Sequence, residues 1–238
     1  MLNIAAVNVP KAADVLANML REKILNGELS EGIVLPNERD MAEETGLSRA
    51  SVREALRILQ GEGIVAKRLG RSGGSVIVRP TSAAIERSVA MFIRGQGIRL
   101  AAVFETRSVI EPPTAGFAAI HRTVADIDDL EFYHDRLERA SASDDLSSYV
   151  RANLDWHVQV VRASHNELMI AFISAIARPV FVATDLEGFN SLSVRNAVIF
   201  SHRRVMDGII AGDKEASERR MARHLGAYIN GVKNLKNA

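Results

Sequence analysis

Three histidines and one asparagine interrupt the apolar faces of predicted helices in the second half of the chain. Asn153 and His157 lie one helical turn apart in an apolar series spaced by three and four residues, and His202 and His224 lie in similar series further along. Residues at these spacings share one face of a helix, so we expect all four side chains to point into the core. Three imidazoles and one side-chain oxygen suit zinc, nickel or another divalent metal ion.

The positions of the last two histidines predict that they meet. Gly212 is expected to end one helix and Asp213 to cap the next, which predicts a helical hairpin. His202 lies ten residues before Gly212, and His224 lies eleven residues after Asp213. At a rise of about 1.5 Å per residue, both lie about 15 to 17 Å from the turn. One metal site for all four side chains is therefore predicted.

Other interpretations of these histidines remain open at the level of sequence. An inward histidine is often a core residue that hydrogen-bonds to a carbonyl or carboxylate group, with no metal or with a purely structural one. A metal held by three histidines with an open position activates water in hydrolases, although no general base is apparent near the ligands. A further alternative is a sensor for which the metal ion itself is the signal.

A second group of chemically competent residues lies on a short helix near the N-terminus. Arg49, Arg53 and Arg57 are spaced four residues apart, so their guanidinium groups form one stripe on the helix surface. A neighbouring apolar stripe predicts a packed face, formed by Val52, Ala55, Leu56 and Leu59. Because Ser48 offers a capping oxygen and glycines follow at 61 and 63, the helix has clear limits.

The elements around this helix predict its use. An upstream helix, capped by Asn37 and ended by Gly46, precedes it after a very short turn. This is the pattern of a helix-turn-helix, whose second helix enters the major groove of DNA. Arg49 and Arg53 in its first turns would reach guanine edges or phosphates. We therefore place Ser48, Arg49 and Arg53 among the DNA-binding residues.

Two short β-rich runs after this helix predict a wing. They span 64–69 and 75–78 and enclose a basic tip that contains Arg71, Gly73 and Gly74. The glycines would let the backbone approach a sugar-phosphate edge or a narrow groove, and Arg71 could enter that groove.

Charge and composition favour a DNA-binding protein of the cytoplasm. The net charge of the 238 residues is only +1, but residues 49–79 hold seven basic and two acidic residues. Such a local excess is typical of phosphate contact. Because there is no cysteine, a disulfide framework and a zinc finger are excluded. No apolar run is long enough for a signal peptide or a membrane span, so we expect no membrane partner.

The sequence pattern changes from mixed α and β to helical near residue 80. We predict a mainly α protein: a winged helix-turn-helix domain over 1–80, a linker over 81–90, and an all-helical bundle over 91–238. Helices are expected at roughly 84–94, 100–121, 126–140, 145–164, 166–185, 193–211 and 214–234. Pro112 and Pro113 fall inside the second of these helices and are expected to kink or break it.

The N-terminal segment resembles a known family. The run ILNGELSEGIVLPNERDMAEETGLSRASVREALRILQGEGIV, followed by GRSGGSVIVRP, is similar to the winged helix-turn-helix of GntR-family bacterial transcription regulators. The resemblance implies that Arg39, Arg49 and Arg53 contact operator DNA and that the wing tip from Arg71 to Gly74 enters the minor groove.

The C-terminal segments VFETRSVIE, NLDWHVQVVRASHN and SHRRVMDGIIAGDKEASERRMARHL resemble the effector-binding domain of the FadR-type (FCD) subfamily. The resemblance implies that Asn153, His157, His202 and His224 hold a divalent metal with open positions for a small carboxylate. Asn153 replaces the more common aspartate, which leaves the site less negative. The resemblance also places Arg107 in the effector pocket; the alternative for Arg107 is a surface ion pair with Glu105 or Glu111.

Together with these patterns, the resemblance to GntR-family regulators implies a homodimeric transcription regulator and not an enzyme. We expect it to be a repressor that binds operator DNA and responds to a small organic acid at a zinc or nickel site. Binding of the effector would change the helical packing and the separation of the two recognition helices.

Overall fold

Residues 10–68, 74–143, 145–183 and 191–235 are described in a computed structural model of the chain. The chain divides into two units, Met1–Ala84 and Ile85–Ala238. Among the described helices, none is long and apolar enough to cross a membrane.

The first unit is a winged helix-turn-helix. Its elements are α1 (Ala12–Leu25), α2 (Glu38–Thr45), α3 (Arg49–Glu62), β1 (Val65–Arg68) and β2 (Gly74–Ile77). The side chain of Asn37 accepts hydrogen bonds from the backbone amides of Arg39 and Asp40 at the start of α2. Gly46 adopts a φ of +68° after α2, a left-handed conformation that suits glycine. The tight turn into α3 follows from this local chemistry.

Helix α3 has the two faces that its sequence predicts. Ser48 caps it by accepting a hydrogen bond of 3.1 Å from the amide of Ser51. The predicted apolar stripe is buried against residues of α1 and β1, such as Leu16 and Val65: Val52, Ala55, Leu56 and Leu59. The arginine stripe is therefore left on the outside of the packed helix.

The wing is a two-stranded antiparallel sheet. Val65 pairs with Ile77 and Arg68 pairs with Gly74, and Val34 forms an isolated bridge to Val76. Gly74 is needed for packing, because a Cβ atom there would lie 3.2 Å from the Cγ1 atom of Val34. The tip residues Arg71 and Gly73 lie outside the described residues.

The second unit is helical in all its described elements. They are α4 (Ser82–Gly95), α5 (Leu100–His121), α6 (Val124–Ser141), α7 (Leu146–Arg162), α8 (Glu167–Ala183), α9 (Leu192–Ala211) and α10 (Lys214–Leu235). Together the two units confirm the predicted fold class. The segment 81–90, expected to be a linker, is helical from Ser82 onward. The domain limits given from the sequence remain predictions.

The prolines of α5 do not break it. Pro112 and Pro113 both lie inside one continuous helix, so of the two expected outcomes a break is wrong. Several residues that follow the prolines are fully buried, among them Ala115 and Ala118, which belong to a core shared with residues of α7, α9 and α10. This packing supports the helix across the missing backbone donors.

Two glycines allow the last helices to approach their neighbours closely. A Cβ atom at Gly208 of α9 would lie 2.7 Å from the hydroxyl oxygen of Ser217 in α10. A Cβ atom at Gly116 of α5 would lie 2.6 Å from the Cγ atom of Glu218 in α10. Helix α10 is thereby held against both α9 and α5.

Candidate metal site and DNA-binding face

Three imidazole rings from three helices meet in the core of the helical unit. His157 comes from α7, His202 from α9 and His224 from α10, and all three side chains are buried. The Nε2 atom of His224 lies 3.1 Å from Nε2 of His202 and 3.3 Å from Nε2 of His157. One ligand atom from each of the three residues lies within 4.8 Å of the others.

These distances suit a shared metal ion. Two nitrogens bound to one zinc ion at about 2.0 to 2.1 Å, in tetrahedral geometry, lie about 3.3 to 3.4 Å apart. The two Nε2 separations at His224, 3.1 and 3.3 Å, are close to that spacing. The donor set of three imidazoles also suits a divalent first-row metal.

Protons alone cannot satisfy this cluster. The Nδ1 atom of His157 lies 2.7 Å from Oε2 of Glu111, so a neutral His157 ring donates from Nδ1 and carries a lone pair on Nε2. Nε2 of His224 faces both this lone pair and Nε2 of His202. One N–H group on His224 serves only one of these two contacts, whereas a cation would accept all three lone pairs.

Burial keeps the three rings neutral, which is the form that binds metals. Loss of hydration lowers the pKa of His202 and His224 well below the ordinary value, and in both cases the neighbouring imidazoles lower it further. Burial also lowers the pKa of His157, although the negative charge of Glu111 partly opposes the shift.

Asn153 lies one turn before His157 on α7 and is also buried. Its Oδ1 atom has no hydrogen-bond partner among the described residues. A buried carbonyl oxygen without a partner is costly, and coordination to a cation would supply one. Asn153 thus has the free oxygen that a ligand needs, and its role as a ligand stays a prediction.

Trp156 fixes the orientation of one ring. It is fully buried, and its ring stacks on His202 with centroids 3.7 Å apart and planes within 8°. The Trp156 indole N–H donates to the sulfur of Met206 at 3.3 Å. His202 therefore has little freedom to turn away from the cluster.

Glu111 is the member of the site whose role the sequence analysis missed. It is completely buried on α5 and accepts hydrogen bonds from His157 and from the Nε atom of Arg107. Burial alone would raise its pKa, but the charge of Arg107 and the contacts with His157 hold the pKa far below the ordinary value. Glu111 is therefore ionised between two donors.

Arg107 forms an ion pair with Glu111, one of the two partners expected if it were a surface residue, but the pair is buried. Its side chain is only 5% exposed, and Nη2 is buried without a partner among the described residues. Arg107, Glu111 and His157 form the polar side of a small cavity. The apolar side is lined by Leu154, Val158, Ile173, Ile176 and Ala177.

The DNA-binding residues predicted on α2 and α3 lie on the surface of the first unit. The Arg39 side chain is 69% exposed, and its Nη2 atom lies 3.2 Å from Oδ1 of Asp40. Arg49 is exposed in the first turn of α3, directly after Ser48. Gly74 starts β2 beside the wing tip. Contact of these residues with DNA stays a prediction.

Arg53 has a partner that the sequence analysis did not identify. Its Nη2 and Nε atoms lie 2.6 and 2.9 Å from Oε2 of Glu38, so the carboxylate binds two nitrogens on one edge of the guanidinium group. The hydrogen bonds from Arg53 lower the pKa of Glu38. The two residues join the start of α2 to the recognition helix α3. A basic residue one turn into α3, opposite an acidic residue at the start of α2, is the signal that could have revealed the pair.

Comparison with known proteins identifies both units. Residues 12–75 match the model of the bacterial regulatory proteins of the gntR family, and residues 102–227 match the FCD domain. A solved Streptococcus agalactiae GntR structure superposes with a TM-score of 0.65 at 20% identity, over 92% of this chain and 99% of that chain. That likeness shows the fold.

Curated relatives are similar over most of the chain. One, named as a regulatory protein of the L-lactate dehydrogenase operon in Escherichia coli (strain K12), is 28% identical over 90% of this chain and 84% of its own length. The HTH-type transcriptional repressor NanR of Citrobacter rodentium is 27% identical over 91% and 84%. The Glc operon transcriptional activator of Escherichia coli (strain K12) is 28% identical over 71% and 66%. These relatives are transcription regulators and not enzymes, and the chain belongs to the GntR family of bacterial transcription regulators, in the group that carries an FCD domain.

Proposed function

We propose that this regulator binds a divalent metal ion through Asn153, His157, His202 and His224 and a small carboxylate effector beside it. The observation that carries the proposal is the pair of Nε2 contacts of 3.1 and 3.3 Å between buried, neutral imidazoles. When bound, the metal would supply a positive charge and open coordination positions in a site from which water is largely excluded. Zinc or nickel suits this donor set.

Arg107 is proposed as the second anchor of the effector. Its Nη2 donor is buried and free of partners among the described residues, and an effector carboxylate would complete its hydrogen bonding. Because Glu111 already balances the positive charge of Arg107 and the other lining residues apart from His157 are apolar, the cavity favours a small acid with one carboxylate. The relative named for the L-lactate dehydrogenase operon makes L-lactate a suitable probe.

In the proposed mechanism, a homodimer presents two copies of α3 to operator half-sites about 34 to 36 Å apart. Arg49 and Arg53 would contact base edges or phosphates, Arg39 and Ser48 would contact the operator beside them, and the wing tip with Arg71, Gly73 and Gly74 would enter the minor groove. The effector would favour one packing of the helical unit over another and so shift the population that fits the operator.

We further propose repression as the direction of regulation and the cytoplasm as the location. Repression is supported by the relative NanR, which is named as a repressor. The Glc operon relative is named as an activator, so a reporter fused to the target promoter decides between them. Deletion of the regulator should raise reporter expression; a fall would show activation.

The metal site is tested by elemental analysis of protein purified without a nickel column or chelator. We expect about one divalent ion per chain in the wild type and none in His157→Ala. His165→Ala is the matched control, because His165 is half-exposed and pairs with Asp126 outside the cluster. Equal metal content in His157→Ala and the wild type would overturn the assignment.

The effector assignment is tested by operator binding of metal-loaded protein with and without L-lactate, glycolate and other short carboxylates. Operator affinity should change on addition of an acid in the wild type and stay constant in Arg107→Met. A response to metal alone, with none to any acid, would instead identify the metal as the signal.

A further inference from the structure

Glu111 contacts both the proposed effector anchor, Arg107, and a proposed metal ligand, His157. It is completely buried, it contacts Arg107 on one side, and its Oε2 atom lies 2.7 Å from Nδ1 of His157 on the other. It is not among the residues that would touch the metal, since the close contacts of the cluster are made by Nε2 atoms. Its effect on the metal must therefore pass through His157.

The hydrogen bond determines which nitrogen of His157 carries the proton. An ionised carboxylate only accepts hydrogen bonds, so Nδ1 of His157 must be the donor. The neutral ring then has its lone pair on Nε2, the atom that lies 3.3 Å from Nε2 of His224. Without this carboxylate, His157 would be free to carry its proton on Nε2, where it would block a metal ligand.

We propose that Glu111 is the positioning residue of the metal site, which fixes His157 as the Nδ1–H tautomer and keeps its Nε2 lone pair directed at the metal. This inference rests on the proposed metal-binding function. Partners of this kind raise metal affinity by orienting the ligand, and their loss typically costs about 10- to 100-fold in affinity.

Arg107 makes Glu111→Gln an informative variant. The amide of glutamine has one acceptor and one donor group. The cationic N–H of Arg107 would take the amide oxygen, which turns the amide NH2 group toward Nδ1 of His157. His157 would then accept at Nδ1 and carry its proton on Nε2. The substitution preserves side-chain volume but should reverse the tautomer.

The first readout is the tautomer, measured by long-range ¹H–¹⁵N spectra of the metal-free protein at neutral pH, with His157 assigned from its loss in His157→Ala. We expect a protonated Nδ1 in the wild type and a protonated Nε2 in Glu111→Gln. A merely structural role for Glu111 would leave the tautomer unchanged, and that result would overturn the proposal.

The second readout is the dissociation constant for zinc in a chelator competition. We expect Glu111→Gln to bind about 10- to 100-fold more weakly than the wild type. Arg107→Met combined with Glu111→Gln frees the amide oxygen for His157, so it should recover both the Nδ1–H tautomer and much of the affinity. Failure of this double variant to recover either property would contradict the mechanism.

Glu138→Gln is the matched control. Glu138 also faces a buried histidine, with Oε1 3.4 Å from Nε2 of His134, but neither residue belongs to the three-histidine cluster. Zinc affinity should be unchanged in this variant. If the wild type binds no zinc, the metal part of the proposed function fails, while the tautomers of wild type and Glu111→Gln still decide the role of Glu111.

Discussion

Arg53 lies on the proposed DNA-binding surface but already has an acidic partner. Glu38 holds its guanidinium group through two nitrogen atoms, whereas the charge of Arg49 acts on Glu38 from a greater distance, without an ion pair among the described residues. The two arginines lie one turn apart on α3 but would therefore meet DNA differently. The contact with Glu38 orients the guanidinium group of Arg53, whereas no ion pair among the described residues orients that of Arg49.

We predict that Arg49→Ala and Arg53→Ala each weaken specific operator binding by roughly 5- to 150-fold, the range for loss of a good bidentate base contact. Arg53→Ala should be the more damaging, because it also leaves the carboxylate of Glu38 unpaired near phosphate groups. Gel-shift titrations at fixed salt concentration measure both effects.

A double variant separates these two contributions. Glu38→Ala combined with Arg53→Ala removes the unpaired carboxylate and should bind operator more tightly than Arg53→Ala alone. Equal binding of the single and double variants would show that Glu38 is remote from the DNA. Unchanged affinity in both arginine variants would remove α3 from its role as the recognition helix.

At the residue scale, the burial of the three histidines could be predicted from the sequence, because it depends on helical periodicity. His157, His202 and His224 were placed inside because the spacing of apolar residues sets which face of each helix is buried. Glu111 was considered only as an ion-pair partner of Arg107, because its contact with His157 joins positions 46 residues apart. Such a contact depends on how α5 packs against α7, and periodicity within one helix does not encode it.

At the scale of elements, the hairpin between α9 and α10 determines where two of the imidazoles lie. Gly212 ends α9 with a φ of +74°, and a Cβ atom there would lie 3.0 Å from Nη2 of Arg122. The same Nη2 atom donates to the carbonyl of Ile210 at 2.8 Å. Arg122, at the C-terminal end of α5, thus provides a hydrogen-bond donor for a backbone carbonyl in the last turn of α9.

Gly212→Ala is expected to lower the free energy of unfolding by about 1 to 2 kcal/mol, because an L-residue is strained in the left-handed conformation and its methyl group would disturb Arg122. Gly226→Ala in α10 should instead raise it by about 0.5 to 1 kcal/mol, since glycine in a helix interior is unfavourable and, beyond the local backbone of α10, no atom of the described residues lies within 4 Å of the added Cβ. Urea unfolding of both variants tests the pair; opposite signs are required.

The capping box of α6 makes stability depend on acid pH. Thr123 and Asp126 cap each other at the start of α6, and His165 contacts the same carboxylate at 2.8 Å. Burial alone would raise the pKa of Asp126, but the hydrogen bonds from Thr123 and His165 lower it below the ordinary value of 3.8. The stabilisation is therefore present above this value and is lost as the pH falls through the lower, folded-state pKa.

We predict that Asp126→Asn is less stable than the wild type at pH 7 and that the difference shrinks as the pH falls below about 3.8. Unfolding free energies measured across this range test the prediction. Asp128→Asn serves as the control, because Asp128 is exposed on the same helix and should show no such convergence. A constant difference between wild type and Asp126→Asn would contradict the assignment.

Element limits were predicted closely where caps and glycines mark them. The hairpin around Gly212 matches the structure, and so do the limits 100–121 of α5, although no side-chain cap or glycine marks them. The expectation at Pro112 and Pro113 was less successful, because local rules describe the lost hydrogen bonds but not the buried alanines that support the helix beyond them. Tertiary packing therefore determines whether α5 continues past these prolines.

At the scale of the whole molecule, the proposed metal belongs to the helical unit alone. All its ligands lie within Ile85–Ala238, so the ion should stabilise that unit and leave the winged helix-turn-helix unaffected. At free zinc about 100 times the dissociation constant, the expected gain is about 2.7 kcal/mol.

Thermal unfolding with zinc and with a chelator measures this effect. The transition of the helical unit should move to higher temperature with zinc, and the movement should be absent in His157→Ala. An equal shift in His157→Ala would place the stabilising metal elsewhere in the protein.

The close approach at Gly116 limits how the molecule can respond to an effector. Helix α5 carries Arg107 and Glu111, and at Gly116 its backbone is too near Glu218 for even one methyl group to fit between them. The absence of a side chain at Gly116 thus lets α5 and α10 pack closely at this point. Because α5 carries Arg107 and α10 carries His224, an effector bound at Arg107 would act on the same pair of packed helices that holds part of the proposed metal site.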